Sequence, residues 1–439
     1  MRIACAAKGF GLTVALLSVG GSAGATPATI TMTQAHAAID RIAELVAKDY
    51  VFPEKRTGII AELRKRAAAG RYDITNATLF AQTVGEDLIE ISHDRHMWFR
   101  YDPDGYATSL KQHTDTDRDP NSDALAARNN QGYTQLRILP GNVRYTNLDG
   151  FEWSGPATTK AVADVARFLQ GGDAIIVDIS GNGGGSAKAV QALVSYFLPS
   201  DGRTLMTFHD GLTGKTDSTH VLGKLEGPRL TGKPLYVLIS QNTGSAAEEF
   251  AYHIRNFKLG TLIGSTTAGA ANNDTFFPVA PFFVQSISTG RPEHPVTHSN
   301  WEQQGIAPDI AAPRDRSLAE AEVAALKALT VSGAASHRSD YEWALIAARA
   351  EQNPVHLSDA AMAAYAGQYG ARTIRFENGV LVVERAGREP TRLIPLAEDL
   401  FGFSNTTELR ARFRRTEGKI TGFEMITPDG QTLPVDRTA

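Results

Sequence analysis

The sequence predicts an α/β protein in three parts: a helical bundle at the N-terminus, a core of largely parallel strands with crossover helices, and a C-terminal module of antiparallel strands. Three observations carry that prediction. Apolar residues recur three and four apart through residues 31–91, the period of a helix face. From Gly132 onward, short β-branched runs alternate with helix-period segments, the pattern of strand, crossover and parallel strand. Beyond residue 358, short strand-like runs are separated by turn residues.

In the first part, residues 26–100, Ile39, Ile42 and Val46 mark one face of a helix that ends at Tyr50-Val51-Phe52-Pro53. A second helix is predicted from Glu54 to Ala69, stopped by Gly70. The third begins near Thr75 and aligns Phe80, Val84, Leu88 and Ile91. Three helices with short links make a small bundle. Strand character replaces helix period at His93 to Tyr101. Thr114 to Asp123 is polar and aspartate-rich, but it lacks the central glycine and terminal glutamate of a calcium loop, so a solvated linker is expected there and no metal.

In the core, residues 101–330, Tyr133–Leu139 and Asn142–Leu148 read as strands around Pro140-Gly141. Thr158 to Gln170 reads as a helix with Val162, Val165 and Leu169 inward. Ala174 to Ile179 is apolar except for Asp178, as a central strand would be. It runs into Gly181-Asn182-Gly183-Gly184-Gly185, and a helix from Ser186 to Phe197 follows. Leu235–Ile239 with its own helix repeats the unit, Leu262-Ile263 adds a short strand, and Phe282 to Ile287 returns to β character. Helices are expected at Arg316–Leu329 and Tyr341–Ala350. The Ser/Ala/Gly-rich residues 331–340 between them read as the main linker within 331–357. In the last part, 358–439, Thr373–Phe376 and Val380–Glu384 flank Asn378-Gly379, which suits a type I′ hairpin turn. Arg410–Arg414, Ile420–Met425 and Gln431–Val435 are further short strands.

Residues 1–25 have the character of an export signal. Arg2 and Lys8 give a basic start, Phe10 to Val19 an apolar stretch, and Ala23-Gly24-Ala25 a small-residue cleavage site. A periplasmic or secreted protein is therefore expected, with no transmembrane segment, because no later run approaches 20 apolar residues. The only cysteine, Cys5, lies in that segment, which excludes thiol catalysis and thiolate metal sites from the remainder. Loss of Arg2 and Lys8 takes the formal net charge from −4 to −6. So mildly acidic a chain is not expected to bind nucleic acid, whose phosphates require a concentrated basic surface.

The chemistry concentrates in Pro234 to Gly269. The strand Leu235–Ile239 drops through Ser240–Gly244 into Ser245, after which Ala247, Phe250, Ala251 and Ile254 take up a helical period. Ser245 thus stands at a helix N-terminus, where free N–H groups stabilise an oxyanion. The same residues also make an ordinary cap, with Glu248 three positions on completing a capping box. Amides of Gly183 or Gly184 could meet those at Ser245 and Ala246 to form an oxyanion hole. The glycine run matches neither nucleotide-binding motif, so no nucleotide cofactor is expected. A serine needs a base, and His93, His96, His209, His220, His253, His294 and His298 are the candidates. For an orienting acid, Glu302 and Asp309 both lie near Gly305, and spacing does not choose between them.

These segments resemble the tail-specific, or carboxyl-terminal-processing, serine peptidases, in the branch related to interphotoreceptor retinoid-binding protein and the tricorn protease core. The resemblance covers about residues 31–315. It rests on Pro140 to Tyr145, Ile176 to Gly185, Thr243 to Ala251 and Gly264 to Gly269, together with Tyr50-Val51-Phe52-Pro53, Asp94-x-His96 and Trp301-Glu302-x-x-Gly305-Ile306-x-Pro308-Asp309. It implies a ClpP/crotonase-like parallel-sheet core, with Ser245 as nucleophile, His96 as general base and Glu302 as the acid that orients it. Ala246 and the glycine loop, Gly184 before Gly183, would be the oxyanion donors. In tricorn-like members a serine precedes the base histidine, where this chain has Arg95. The better-known processing proteases use a lysine base in a Gly-Lys-Gly setting; here the comparable site is Ala268-Gly269-Ala270-Ala271. The interval from Tyr101 to Gly132 is too short for their peptide-binding PDZ domain. The implied function is an exported serine peptidase acting on peptides or unfolded protein without a cofactor. The alternative is a carrier of an apolar ligand such as a retinoid or fatty acid, since fold alone does not fix function.

Overall fold

The computed structural model describes residues 28–110 and 120–438. The expected signal segment and residues 114–119 of the aspartate-rich stretch lie outside it. The chain opens with α1 (Met32–Asp49), α2 (Pro53–Ala68) and α3 (Ala77–Ser92). The first is started by a capping box between Thr31 and Gln34. The third stops at His93, which takes a left-handed conformation (φ 55°) and turns the chain toward β1 (Phe99–Tyr101). Next come α4 (Pro103–Ser109), α5 (Pro120–Arg128), β2 (Tyr133–Leu139), β3 (Val143–Leu148), α6 (Pro156–Gln170), β4 (Ala174–Asp178) and α7 (Ala187–Val194). A hairpin of β5 (Thr204–Asp210) and β6 (Thr216–His220) precedes β7 (Leu235–Ile239), α8 (Ala246–Asn256) and β8 (Thr261–Gly264). Then follow β9 (Asn273–Val279), β10 (Phe283–Glu293), β11 (Ile310–Ala311), α9 (Ser317–Ser332), α10 (Arg338–Gln352) and α11 (Asp359–Ala364). The last strands are β12 (Gly367–Tyr369), β13 (Arg372–Glu377), β14 (Val380–Arg385), β15 (Arg388–Ala397), β16 (Leu400–Phe403), β17 (Thr406–Thr416), β18 (Lys419–Ile426) and β19 (Thr432–Asp436).

These strands form three sheets. The first has five strands in the order β1-β10-β5-β6, with β9 also on β10, and every pairing is antiparallel. The second has six strands, β11-β8-β7-β4-β3-β2, parallel from β11 to β3 and antiparallel between β3 and β2. The third is an antiparallel meander of β12 to β19. Its ends approach closure, since Tyr369 bridges Arg437 and the Thr438 N–H donates to the Gln368 carbonyl at 2.8 Å.

The expected ClpP/crotonase-like parallel-sheet core is therefore corrected to a mixed α/β fold, with separate N-terminal helices and a largest sheet that is antiparallel and near-barrel. The expectation rests on the family resemblance and on continuous apolar runs, which report strands buried on both faces. Antiparallel β5, β6 and β9 are only partly buried and leave weaker runs. Thr216–His220, all polar, is such a strand, and it was not anticipated.

Packing follows the side-chain alternation of the strands. Ile175, Val177, Val237 and Ile239 point to one side of the six-stranded sheet, into a core with Val162, Leu169, Val190 and Phe250 of α6, α7 and α8. Ile176, Tyr236 and Leu238 point to the other, against Leu326 and Leu329 of α9 and Tyr341 and Leu345 of α10. The N-terminal helices pack Ile42, Phe80 and Val84 on Phe99, Phe283 and Ile287 of the five-stranded sheet. Residues 331–340 are taken up by the end of α9, a 3₁₀ turn at Ala335–His337 and the start of α10.

Candidate active site

The loop between β7 and α8 is stitched to the loop after β4. Ser240 Oγ donates to the Ser180 carbonyl at 2.6 Å, Thr243 Oγ1 to the Ile179 carbonyl at 2.9 Å, and the Gly244 N–H to the Asn182 carbonyl at 3.0 Å. Ser245 follows with φ 49° and ψ −122°. An ordinary cap such as Thr31 has φ −80° and ψ 159°. A non-glycine residue held at positive φ costs roughly 1–3 kcal/mol and persists only where its surroundings impose it. Strand, sharp turn and helix N-terminus thus coincide at one serine.

Gly184 lies against that serine. A Cβ added to it would come 2.7 Å from Ser245 Cβ and 3.2 Å from the Ala246 nitrogen, at a φ of +124° that disfavours any side chain. Its own N–H donates to Asn182 Oδ1 at 2.9 Å. Asn182 is fully buried and also donates to the Leu148 carbonyl at 2.9 Å, which fixes the glycine turn. Among the described residues the Gly183 N–H has no acceptor. Ala246 is the first residue of α8, where an amide has no intrahelical partner.

Glu248 does receive the Ser245 N–H, at 3.0 Å, as the capping-box reading expects. It does much more. Fully buried, its carboxyl also accepts Thr267 Oγ1 at 2.5 Å, the Gly269 N–H at 2.7 Å and the Ala270 N–H at 2.9 Å. Burial pushes this carboxyl above the usual range, and the four donors pull it back. The next two amides, Ala271 at 2.8 Å and Asn272 at 3.1 Å, donate to Glu302 Oε2. One strap, 269–272, therefore links the serine turn to Glu302.

Burial, with the neighbouring Asp94 and Glu248 charges, pushes the Glu302 carboxyl up to about 7, and its Oε1 is buried without a partner among the described residues. Asp309 is placed differently. It accepts the Leu262 N–H at 2.7 Å and the Arg255 guanidinium at 3.1 Å, bracing β8. His96 sits in the turn after α3. Its N–H donates to Asp94 Oδ1 at 2.9 Å, its Nδ1 lies 3.8 Å from the same oxygen, and that Nδ1 is buried with no hydrogen-bond partner among the described residues. Asp94 is fully buried and accepts the Tyr50 hydroxyl at 3.3 Å. Burial and the adjoining Asp94 and Glu302 charges raise the Tyr50 hydroxyl above its ordinary value. Tyr50, Asp94 and His96 thus form one polar cluster, and the Glu302 carboxyl is close enough for its charge to act on Tyr50 and Asp94. Tyr50 and Asp94 stand in quoted motifs, yet no role was assigned to them, because their contact spans 44 residues of chain.

The other histidines are engaged elsewhere. His253 and His294 are buried with ring centroids 5.3 Å apart, and burial lowers both to about 3. His253 Nε2 lies 3.4 Å from Glu249, whose carboxyl burial raises to about 8. His209 meets Glu293 at 3.2 Å, His220 faces Thr204 at 3.4 Å, and His93 and His298 are exposed. Among the described residues there is no metal-ligand cluster of three His, Cys, Asp or Glu, and no helix is long and apolar enough to cross a membrane.

Glu302 carries a pH signature. Its folded value of about 7 lies above the ordinary 4.5, so the folded state holds a proton that the unfolded state has lost. Stability should fall as pH rises from 4.5 through about 7, by about 3 kcal/mol. In Glu302→Gln that loss should be absent, with the gap to the parent widest at pH 8 in thermal melts. Parallel pH curves for the two proteins would refute the assignment.

Residues 141–312 match the family model described as Peptidase family S41. The match covers about two fifths of the chain. The matched segment contains Ser245, Ala246, Gly183, Gly184 and Glu302, while His96 precedes it. Two curated relatives are named carboxyl-terminal-processing protease. The one from Synechocystis sp. is 28% identical over 176 residues, covering 39% of this chain and 38% of the relative. The one from Picosynechococcus sp. is 25% identical over 174 residues, covering 39% and 40%. The chain thus spans about two fifths of the length of the curated relatives it matches. Among solved structures, mature CPAF complexed with lactacystin is similar at 13% identity and a TM-score of 0.48, over 69% of this chain and 100% of that one.

Proposed function

We propose that the protein is a serine peptidase that cleaves peptide bonds through an acyl-enzyme, with Ser245 as nucleophile, His96 as general base and Glu302 as the acid that orients it. The observation that carries this reading is Ser245 itself, at positive φ on a helix mouth with the Gly184 backbone against its Cβ. That geometry supplies a hydroxyl and nearby amides at one point, as acyl transfer requires. A second observation supports the dyad. His96 Nδ1 and Glu302 Oε1 are both buried and unpartnered among the described residues, His96 Nδ1 lies 3.8 Å from Asp94 Oδ1, and the Asp94 charge acts on Glu302. An Nδ1–H and an ionised carboxylate are complementary donor and acceptor.

In this mechanism, Nδ1–H faces the carboxylate and Nε2 takes the Ser245 proton as the hydroxyl attacks the carbonyl. Ala246 and the glycine loop, with Gly183 supplying an uncommitted amide and Gly184 the close approach, hold the oxyanion. His96 then protonates the leaving amine, and water releases the acyl group by the reverse steps. The substrates are peptides or unfolded protein. The basic and apolar start of the chain supports action in the periplasm or outside the cell.

A fluorophosphonate probe tests the reading directly. It is expected to label Ser245, located by mass spectrometry of the digested protein. In His96→Ala the labelling rate should fall by about 10²-fold or more, the range of general-base assistance. An unlabelled Ser245 in folded protein that binds a retinoid or fatty acid stoichiometrically would replace this reading with that of a carrier.

A further inference from the structure

A groove of ≈ 750 Å³ lies between α4 and the outward face of the five-stranded sheet, lined by Trp98, Arg100, Gly105, Thr108, Phe276 and Val284 with two aspartates at its edge. The strand register shows why these residues meet. Arg100 is opposite Val284, and Val284 is opposite Pro278; one step along, Trp98 accepts the Ser286 N–H, and Ser286 is opposite Phe276. These residues share one face because strand side chains alternate, and the intervening Phe99, Phe283 and Val279 go into the core with the N-terminal helices. An aromatic pair is left on the outside. Trp98 and Phe276 lie 5.1 Å apart, Arg100 stacks on Trp98 at 4.3 Å, and Phe276 is 55% exposed.

We propose that this groove is a specificity subsite that holds a large apolar side chain, aromatic by preference, of the peptide substrate; the assignment rests on the peptidase reading above. Its position supports a substrate contact. Trp98 is two residues beyond His96, and β9 begins at Asn273, directly after the amide that Asn272 donates to Glu302. Two residues of chain span at most about 7 Å, a length that an extended peptide covers in two to three residues at about 3.3 Å each, so the groove is within the span of a bound peptide if His96 is at the cleaved bond. The chemistry favours an uncharged occupant. Asp102 receives the Gly105 N–H at 2.8 Å and Asp274 the Ser286 hydroxyl at 2.6 Å, and these two acids face one guanidinium. A fatty-acid carboxylate would meet that negative edge, whereas an aromatic ring extends the Arg100–Trp98 stack.

The test measures binding without turnover. Ser245→Ala protein is titrated with two fluorescent peptides that differ only in carrying Phe or Ala at one position, scanned along the sequence. At one position the Phe peptide should bind about tenfold tighter or more, the discrimination a single apolar pocket provides. Phe276→Ala should remove the floor and Thr108→Trp should fill the space from α4, and each should abolish the preference while leaving the Ala peptide unaffected. Equal affinities at every position, a preference that survives both substitutions, or palmitate binding in place of peptide would overturn the subsite. Because no bond is cleaved, these outcomes are independent of probe labelling at Ser245.

Discussion

Ser245→Ala should reduce peptide cleavage by at least about 10⁴-fold while leaving the thermal unfolding temperature close to that of the parent. The large loss is expected because in the proposed mechanism the hydroxyl is the only covalent participant, and the oxyanion donors and the histidine cannot form an acyl-enzyme without it. The stability should hold for a separate reason. The positive φ at residue 245 is held by bonds that do not use the Ser245 hydroxyl, the Gly244 N–H to the Asn182 carbonyl and the Ser245 N–H to the Glu248 carboxylate, and both survive the substitution. Turnover on a peptide library, followed by mass spectrometry, checks the first part and calorimetry the second. An alanine protein that retains parental turnover would exclude this serine from the chemistry.

The second large effect is on folding. Glu248→Ala should destabilise the protein by about 3–5 kcal/mol, read as a shift of the denaturant midpoint at constant slope. Removing the carboxylate leaves the amides of Ser245, Gly269 and Ala270 and the Thr267 hydroxyl facing a cavity, and each buried donor left unpaired costs about 1–3 kcal/mol. Partial collapse of the strap onto the cavity brings the total below the simple sum. Glu248→Gln should recover only part of the loss, because an amide NH₂ would confront donors. A shift below about 1 kcal/mol in the alanine protein would show that the strap is held by other contacts.

How much could be read beforehand depended on how local the determining contacts are. The turn at Ser245 was legible because the hydrophobic period changes across five residues, and the structure places α8 at Ala246. The Asn378-Gly379 hairpin was legible for the same reason, since both residues adopt positive φ, 50° and 79°. The choice of Glu302 over Asp309 is legible only through the family resemblance and not from spacing, because what separates them is burial under the influence of the Asp94 charge for one and a bond to Arg255 for the other, with both partners remote in sequence. Glu248 was read as a cap partner, which is true of one of its four hydrogen bonds. The other three come from a segment 19 to 22 residues away, and most of them from the main chain. The sheet class differs from the sequence expectation because continuous apolar runs identify two-sided burial, while β5, β6 and β9 are only partly buried and carry polar residues.

The strap at 269–272 grips both acids with peptide N–H groups alone, so its wording can change without changing its grip. Gly269 is held to its identity by a φ of +78° and the close approach of Gln303 and Gly305. At positions 270 and 271 every amino acid except proline brings the same donor. Both alanines are buried, so replacements there are limited by size and not by the hydrogen bonds, and small residues could interchange while Ser245 and Glu302 keep a common spacing.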